Sequence, residues 1–270
     1  MINVPKNLKI YAVFITALSA LLLKPTVSSG KTGIILALNG TVDQIRSVMD
    51  VSYTKHYAHR EFIVGKISGT DVVLTRSPMG MINNAITTQI LISHFGVQRI
   101  VSIAPAGGLT DQIKIGDMVI ARQVWQHDFG TIKPYGFIWG KTPDGSGNHS
   151  LGYQKPDRKM SAIAKNISDS IDTSENHFYE GIVASGDSFI ADNDKKQWIV
   201  KKFDAVAVDM GSAAIAQVCY ANGIPCLIMR MITDKADINA RIDFAESLPS
   251  YRSSIDIKNY LSLLLEAIAR

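Results

Sequence analysis

Three acidic or basic side chains stand where acid–base chemistry would be possible in this 270-residue chain. Asp234 closely follows a strand-like apolar run, Pro225–Ile232, and a carboxyl group there can act as a general acid. The alternative interpretation is an N-cap on a following helix. His127 and Asp128 form a pair that suggests activation of a nucleophile, but the sequence places no serine or cysteine beside them in a nucleophile-elbow setting.

An aromatic side chain is the second candidate for ligand chemistry. Phe189 lies in the segment Ser185–Ile190, where Gly186 permits a tight backbone after a strand-like run. An aromatic ring in such a turn can stack on a planar base, and the alternative is an ordinary core position. His56 and His59 lack a third partner at metal-ligand spacing, so the sequence predicts neither a metal site nor a cofactor.

Alternating elements must position these groups. The strand-like runs are Thr32–Leu38, Glu61–Ser68, Asp71–Arg76, Arg99–Ile103, Met118–Ala121, Glu180–Ser185, Ala205–Val208 and Pro225–Ile232, and the helical patterns are Val42–Met49, Met81–Phe95, Met160–Ile171, Ser212–Tyr220 and Ile255–Ala269. This alternation predicts an α/β domain with a largely parallel sheet between helix layers. Ligands in such domains bind at the carboxyl ends of strands. The Gly- and Pro-rich stretch Gly130–Tyr153 predicts a long surface loop.

The N-terminal segment differs from the rest of the chain. Lys6 and Lys9 precede Ile10–Leu23, an uncharged apolar run, and small residues follow up to Gly30. This pattern predicts a signal peptide over residues 1–29 and a single domain over residues 30–270. We therefore expect an exported protein, periplasmic or secreted, with no stable membrane span after cleavage.

Charge and cysteine content exclude some classes of partner. Removing residues 1–29 leaves 25 Lys and Arg against 24 Asp and Glu, so the net charge of the remaining domain is close to neutral. The domain has no basic cluster of the kind that nucleic acid requires. Its two cysteines, Cys219 and Cys226, predict buried free thiols rather than a disulfide framework.

Four motifs in one order carry a family resemblance. They are GIILAL at Gly33–Leu38, APAGGL with IGD between Ala104 and Asp117, ASGDSFI at Ala184–Ile190, and VDMGSAAIAQV…RMITDKAD between Val208 and Asp237. Together they resemble the nucleoside phosphorylase/nucleosidase superfamily, and most closely its 5′-methylthioadenosine/S-adenosylhomocysteine nucleosidases. The run Met81–Leu91 is also similar to plant bark and vegetative storage proteins of that superfamily. The resemblance implies a three-layer α/β/α fold around a central, mostly parallel mixed sheet.

The resemblance also implies roles for residues that the chain retains. Phe189 would stack on a purine and the backbone of Ile190 would bind the edge of the base. Asp234 would protonate N7 of the leaving purine, and Met210 would pack beneath the sugar. Asp209 is the candidate to replace a missing sugar contact. A structural role is the better interpretation for His127 and Asp128, since such a pair is common in the family near a subunit contact.

Three family positions are altered. The family's water-activating glutamate is Thr41 here, and Asp43 is nearby in sequence but would point away from Thr41 on a helix. The glutamate that binds the ribose hydroxyls is Gly211, and a serine that contacts ribose or phosphate is Pro105, which offers neither a hydroxyl nor an N–H. The altered positions predict a degenerate site.

Two functions stay open on this evidence. The first is phosphate-independent hydrolysis of the N-ribosyl bond of a purine nucleoside. The second is binding or storage of a purine nucleoside or purine-like molecule without turnover. Phosphate-dependent cleavage is disfavoured, and by resemblance we expect a homodimer.

Overall fold

The computed structural model describes residues 30–143, 152–171, 177–251 and 256–270. The predicted signal peptide, residues 1–29, lies outside the described residues. Within those ranges, none of the helices combines the length and the apolar character that crossing a membrane requires. The predicted domain over residues 30–270 stays a prediction at its N-terminal boundary.

The described ranges contain twelve strands and seven helices. The strands are β1 (Thr32–Leu36), β2 (Asp50–Tyr57), β3 (Arg60–Ile67), β4 (Thr70–Arg76), β5 (Arg99–Gly108), β6 (Met118–Gln126), β7 (Gly130–Lys133), β8 (Gly136–Trp139), β9 (Tyr153–Gln154), β10 (Phe178–Ser185), β11 (Ala205–Asp209) and β12 (Cys226–Asp234). The helices are α1 (Asn39–Arg46), α2 (Met81–Phe95), α3 (Arg158–Ile171), α4 (Asn193–Phe203), α5 (Ser212–Ala221), α6 (Ala240–Tyr251) and α7 (Ile257–Ala269).

Ten strands form one mixed sheet in the order β11-β10-β6-β12-β5-β1-β4-β3-β2, with β9 paired to β6. The neighbours of β1 and β10 in this sheet are parallel to them, and β12 is parallel to β5. Because β5 is ten residues long, its last residues Gly107 and Gly108 also pair with β11. The strands β5, β12, β6, β10 and β11 therefore close into a ring, which we call the strand ring.

Helices cover both faces of this sheet. Along β1, Ile34 and Leu36 pack into one core cluster and Ile35 into the other, as the two-residue period of a strand requires. The first cluster includes Leu264 of α7, and the second includes Leu91 of α2. The predicted three-layer α/β class with a central mixed sheet is confirmed.

Some predicted elements match the structure and one differs from it. The helix α2 and the strands β3 and β4 occur where the sequence predicted them, and the two strands form a hairpin. Gly96 ends α2 in the left-handed region at φ 62°. The predicted loop Gly130–Tyr153 instead contains the hairpin β7–β8, while residues 144–151 of that stretch lie outside the described residues. Cys219 and Cys226 are buried free thiols, as expected.

Candidate active site

A cavity of about 350 Å³ opens where several strands of the sheet end. Its lining comes from the ends of β1, β4, β5, β11 and β12, from the loop after β10, and from α2 and α6. We name two parts of this lining. The acid wall is formed by Phe189, Ile190 and Asp234, and the glycine wall by Asn84, Met210 and Gly211.

Asp234 is the last residue of β12 and is only 4% exposed. Its Oδ1 accepts a hydrogen bond from the backbone N–H of Ala236 at 2.9 Å, and its Oδ2 accepts one from the hydroxyl of Thr233 at 3.1 Å. Burial raises the pKa of this carboxyl group against the opposing effect of those hydrogen bonds. The protonated acid is therefore favoured more than at a solvated aspartate. The N-cap interpretation is wrong, because the next helix begins six residues later at Ala240.

The backbone of β5 lies very close to the carboxyl group of Asp234. A Cβ atom placed on Gly107 would lie 2.6 Å from Oδ1 of Asp234, nearer than side-chain atoms normally approach. Gly107 therefore allows the carboxyl group to sit directly beside the strand.

Phe189 and Ile190 present different groups to the cavity. Phe189 is half-buried and makes an edge-on contact with Phe244 of α6, with ring centroids 6.1 Å apart, so the core interpretation of Phe189 is wrong. The guanidinium of Arg241 lies 5.2 Å from the centroid of the Phe189 ring. Ile190 is buried, yet its backbone N–H and C=O make no hydrogen bond within the described ranges. Those two backbone groups are free to bind the edge of a ligand.

Two aspartates fix the loop that carries Phe189. The carboxylate of Asp187 accepts a hydrogen bond from the backbone N–H of Met81 at 2.7 Å, which ties the loop to the start of α2. The backbone N–H of Asp187 donates to Asp128 at 2.6 Å. The loop is thus anchored through both the side chain and the backbone N–H of Asp187.

His127 does not form a catalytic pair with Asp128. The histidine is fully buried and absent from the cavity lining, and among the described residues neither ring nitrogen has a hydrogen-bond partner. Burial lowers the pKa of His127, so the neutral ring is favoured. Asp128 binds Gln126 and the backbone of Asp187 instead. Both contacts match the expected structural role.

Asp209 reaches the cavity lining, but its carboxylate is already engaged. Oδ2 accepts hydrogen bonds from Nε of Arg230 at 2.6 Å and from the hydroxyl of Ser212 at 2.7 Å. Both members of this ion pair are buried, with side chains 4% and 1% exposed. A sugar contact at Asp209 stays a prediction, and it would use Oδ1, which among the described residues accepts only the backbone N–H of Ser212 at 3.2 Å.

The altered positions Thr41 and Pro105 supply no proton acceptor. Thr41 lies in α1, is 3% exposed, and does not line the cavity. Asp43 is exposed and lines a second cavity of about 530 Å³ together with His56 and His59. Pro105 lies in β5 and lines the main cavity. Across the described residues, no group of three or more His, Cys, Asp or Glu is placed to hold a metal ion.

Asn84 is a cavity residue that sequence reasoning missed. A Cβ atom added to Gly211 would lie 2.5 Å from Nδ2 of Asn84, so the asparagine amide occupies the space where a side chain at position 211 would begin. The available signal was a polar set at helical spacing, Asn84, Thr87 and Thr88, all buried on the inner face of α2. Apolar spacing alone would be misleading in this helix, since Ile82 and Ile86 are exposed.

The fold and this cavity define a class of α/β proteins that hold small ligands at the ends of sheet strands. The family model described as "Phosphorylase superfamily" matches residues 31–257, and the chain belongs to that family.

Individual relatives are consistent with this membership. A 5′-methylthioadenosine/S-adenosylhomocysteine nucleosidase of Buchnera aphidicola is 30% identical over 239 residues, covering 87% of this chain and 99% of the relative. The corresponding nucleosidase of Neisseria meningitidis, solved in complex with methylthio-immucillin-A, superposes with a TM-score of 0.78 at 26% identity and covers 88% and 99% of the two chains. Futalosine hydrolase of Helicobacter pylori gives a TM-score of 0.76 at 27% identity, covering 88% and 98%.

Proposed function

We propose that this chain is an exported nucleosidase that hydrolyses the N-ribosyl bond of 5′-methylthioadenosine or S-adenosylhomocysteine-type nucleosides. The observation that carries the proposal is the buried carboxyl group of Asp234, with its raised pKa, in the same cavity as the half-buried ring of Phe189. The named activity of the nucleosidase relatives supports it. Export is supported by the signal-peptide pattern of residues 1–29.

The acid wall would bind the base. The purine base of the nucleoside would stack on Phe189, and the edge of the base would form hydrogen bonds with the free backbone N–H and C=O of Ile190. Asp234 then donates its proton to N7 as the bond between C1′ and N9 breaks and the bonding electrons leave with the base. Protonation makes the purine a better leaving group.

The glycine wall would face the sugar. Met210 packs beneath the ribose, and water adds to C1′ and releases a proton as the free sugar forms. We propose water rather than phosphate as the acceptor, because Pro105 offers neither a hydroxyl nor an N–H to hold a phosphate there.

A second candidate function is nucleoside binding or storage without turnover. The observation that favours it concerns the two aspartates in the lining. Asp209 forms an ion pair with Arg230, and Asp234 is needed as the proton donor to the base. That leaves no carboxylate among the described lining residues to activate water. Thr41 and Gly211 cannot supply one.

We also propose that the protein is a homodimer. Met79 and Ile82 are 61% and 72% exposed, near each other at the start of α2, and large exposed apolar side chains commonly lie in subunit contacts. Light scattering on a size-exclusion column tests this directly, and a monomer mass at micromolar concentration would refute it.

Release of free base decides between the two functions. The purified protein is incubated with 5′-methylthioadenosine, S-adenosylhomocysteine, adenosine and inosine, with and without phosphate, and products are separated by chromatography. Free adenine without phosphate supports the nucleosidase. Tight binding of the same nucleosides without any base release supports the binding protein, and a requirement for phosphate contradicts both.

A further inference from the structure

The side chain of Asn84 holds a hydrogen-bond acceptor with no partner in the described ranges. Its Nδ2 donates to the backbone C=O of Gly80 at 2.8 Å and weakly to that of Pro78, whereas its Oδ1 accepts no hydrogen bond from the described residues. The residue is only 8% exposed and lines the main cavity. An amide oxygen can accept two hydrogen bonds, so this one is available to a ligand donor.

Three other polar side chains of the cavity lining are already engaged. Asp209 and Ser102 both hold Arg230, and Asp234 belongs to the acid wall. Asn84 is therefore the one neutral acceptor of the glycine wall, and its oxygen is bound neither to a cation nor to another described residue.

Steric contact, not backbone conformation, explains the glycine at position 211. Gly211 has φ −163°, an extended value that any residue adopts. A Cβ atom there would nevertheless meet Asn84 at 2.5 Å from Nδ2, 2.7 Å from Cγ and 3.0 Å from Oδ1. The two residues thus form a matched pair in which the side chain of one fills the space left by the other.

We propose that Asn84 is the residue of this chain that recognises a sugar hydroxyl, in the place that the missing side chain of Gly211 leaves open. This inference rests on the proposed binding of a purine nucleoside, and it names the group that selects the sugar. A neutral amide acts there rather than a carboxylate. The Nδ2 contact with Gly80 fixes the amide so that Oδ1 is the group presented to the ligand.

A ligand series separates the sugar contact from the base contact. The probes are adenine and an uncleavable C-nucleoside isostere of adenosine with its 2′-deoxy and 3′-deoxy forms, measured by isothermal titration calorimetry. We expect the wild-type protein to bind at least one deoxy form about 2- to 12-fold more weakly than the ribo form, the range of one neutral hydrogen bond. Asn84→Ala abolishes that difference and leaves the affinity for adenine unchanged.

A neighbouring asparagine provides the matched control. Nδ2 of Asn83 donates to the backbone C=O of Met79 at 2.8 Å, a similar contact at the start of α2, but Asn83 does not line the cavity. Asn83→Ala is expected to keep the ribo–deoxy difference. Loss of the difference in both variants, or its survival in Asn84→Ala, overturns the inference.

The adenine arm distinguishes the two levels of the proposal. If adenine does not bind the wild-type protein, the purine pocket itself is wrong and the role of Asn84 falls with it. If adenine binds and the ribo and deoxy forms bind equally, the nucleoside pocket stands and the role of Asn84 alone is refuted.

A double-mutant cycle tests the steric pairing independently of ligand. Gly211→Ala is expected to lower the melting temperature in the wild-type background and to have no such effect in the Asn84→Ala background, because the clash is then absent. Equal losses in both backgrounds would contradict the pairing.

Discussion

The acid wall and the glycine wall of the cavity differ in how they hold their polar groups. In the acid wall, Asp234 is buried with a raised pKa, and the backbone of Ile190 is free to bind a ligand. In the glycine wall, Asn84 fills the space beside Gly211, and the nearby carboxylate of Asp209 is bound by Arg230. In the proposed binding mode, the base would be bound by a strand-end acid, an aromatic ring and backbone groups, whereas the sugar would be bound by the side chain of Asn84.

The largest effect is expected at the buried ion pair behind the glycine wall. Asp209→Ala leaves the charge of Arg230 buried and unpaired, which should lower the free energy of unfolding by about 3–5 kcal/mol. Chemical denaturation measures this loss. The control is Asp71→Ala, which breaks an exposed pair with Lys66 at 2.7 Å and should cost less than about 1 kcal/mol. Similar losses in the two variants would mean that Asp209 and Arg230 are not a buried pair.

The next effect tests the acid wall. Asp234→Asn keeps the shape of the side chain but replaces the acidic carboxyl group with an amide that cannot donate a proton to the base. Turnover of 5′-methylthioadenosine should therefore fall by at least ~10²-fold. Steady-state kinetics gives the ratio. Asp43→Asn, which changes an exposed carboxyl group outside the lining of the main cavity, should leave turnover unchanged. An unaltered rate in Asp234→Asn would show that another group protonates the base.

The raised pKa of Asp234 also makes stability depend on pH. The folded protein holds the Asp234 proton more tightly than the unfolded chain, where the pKa is about 3.9. The stabilisation from protonated Asp234 is therefore complete below about pH 3.9 and is lost as pH rises through the folded pKa. As pH rises from about 3.9 through the folded pKa, the free energy of unfolding of Asp234→Asn should increase relative to that of the wild type. Above the folded pKa, the difference should stay constant. A difference that is independent of pH, measured by urea titration from pH 3.5 to 8, would contradict the shift.

A smaller effect is expected from the aromatic ring. Phe189→Ala should weaken adenine binding by about 1–3 kcal/mol through lost stacking, measured by calorimetry. Tyr135→Ala removes an aromatic ring that is 80% exposed and outside the cavity lining, and it should not change adenine affinity. Equal affinity for adenine in the wild type and Phe189→Ala would place the base elsewhere.

The smallest effect is expected at Thr41. Its hydroxyl is buried with no hydrogen-bond partner among the described residues, so Thr41→Val should raise the free energy of unfolding by about 1 kcal/mol. Turnover should stay unchanged, because Thr41 does not line the cavity. Thr41→Ser keeps the hydroxyl and serves as the control. A fall in turnover in Thr41→Val but not in Thr41→Ser would assign the hydroxyl a part in the reaction.

The sequence predicted the parts of the fold that follow local periodicity. It identified α2 over Met81–Phe95, and it placed Phe189 and Asp234 after strands that meet at one cavity. It could not predict that β5 continues to Gly108 and closes the strand ring, because that pairing joins segments distant in sequence. The sequence could not predict the contact between Asn84 and Gly211 either, because the periodicity of α2 does not show which distant residue its polar side chains meet.

The strand ring has a consequence for local opening. Strands β5, β12 and β11 are each paired on both sides within it, whereas β2 is an exposed edge strand bonded to β3 alone. Backbone amides of the ring should therefore exchange with deuterium only through global unfolding, while those of β2 should exchange through local fraying. Because the backbone of the strand ring resists local opening, side chains at the cavity can be replaced without reshaping the strands that carry them. The same backbone could therefore hold sites with different chemistry.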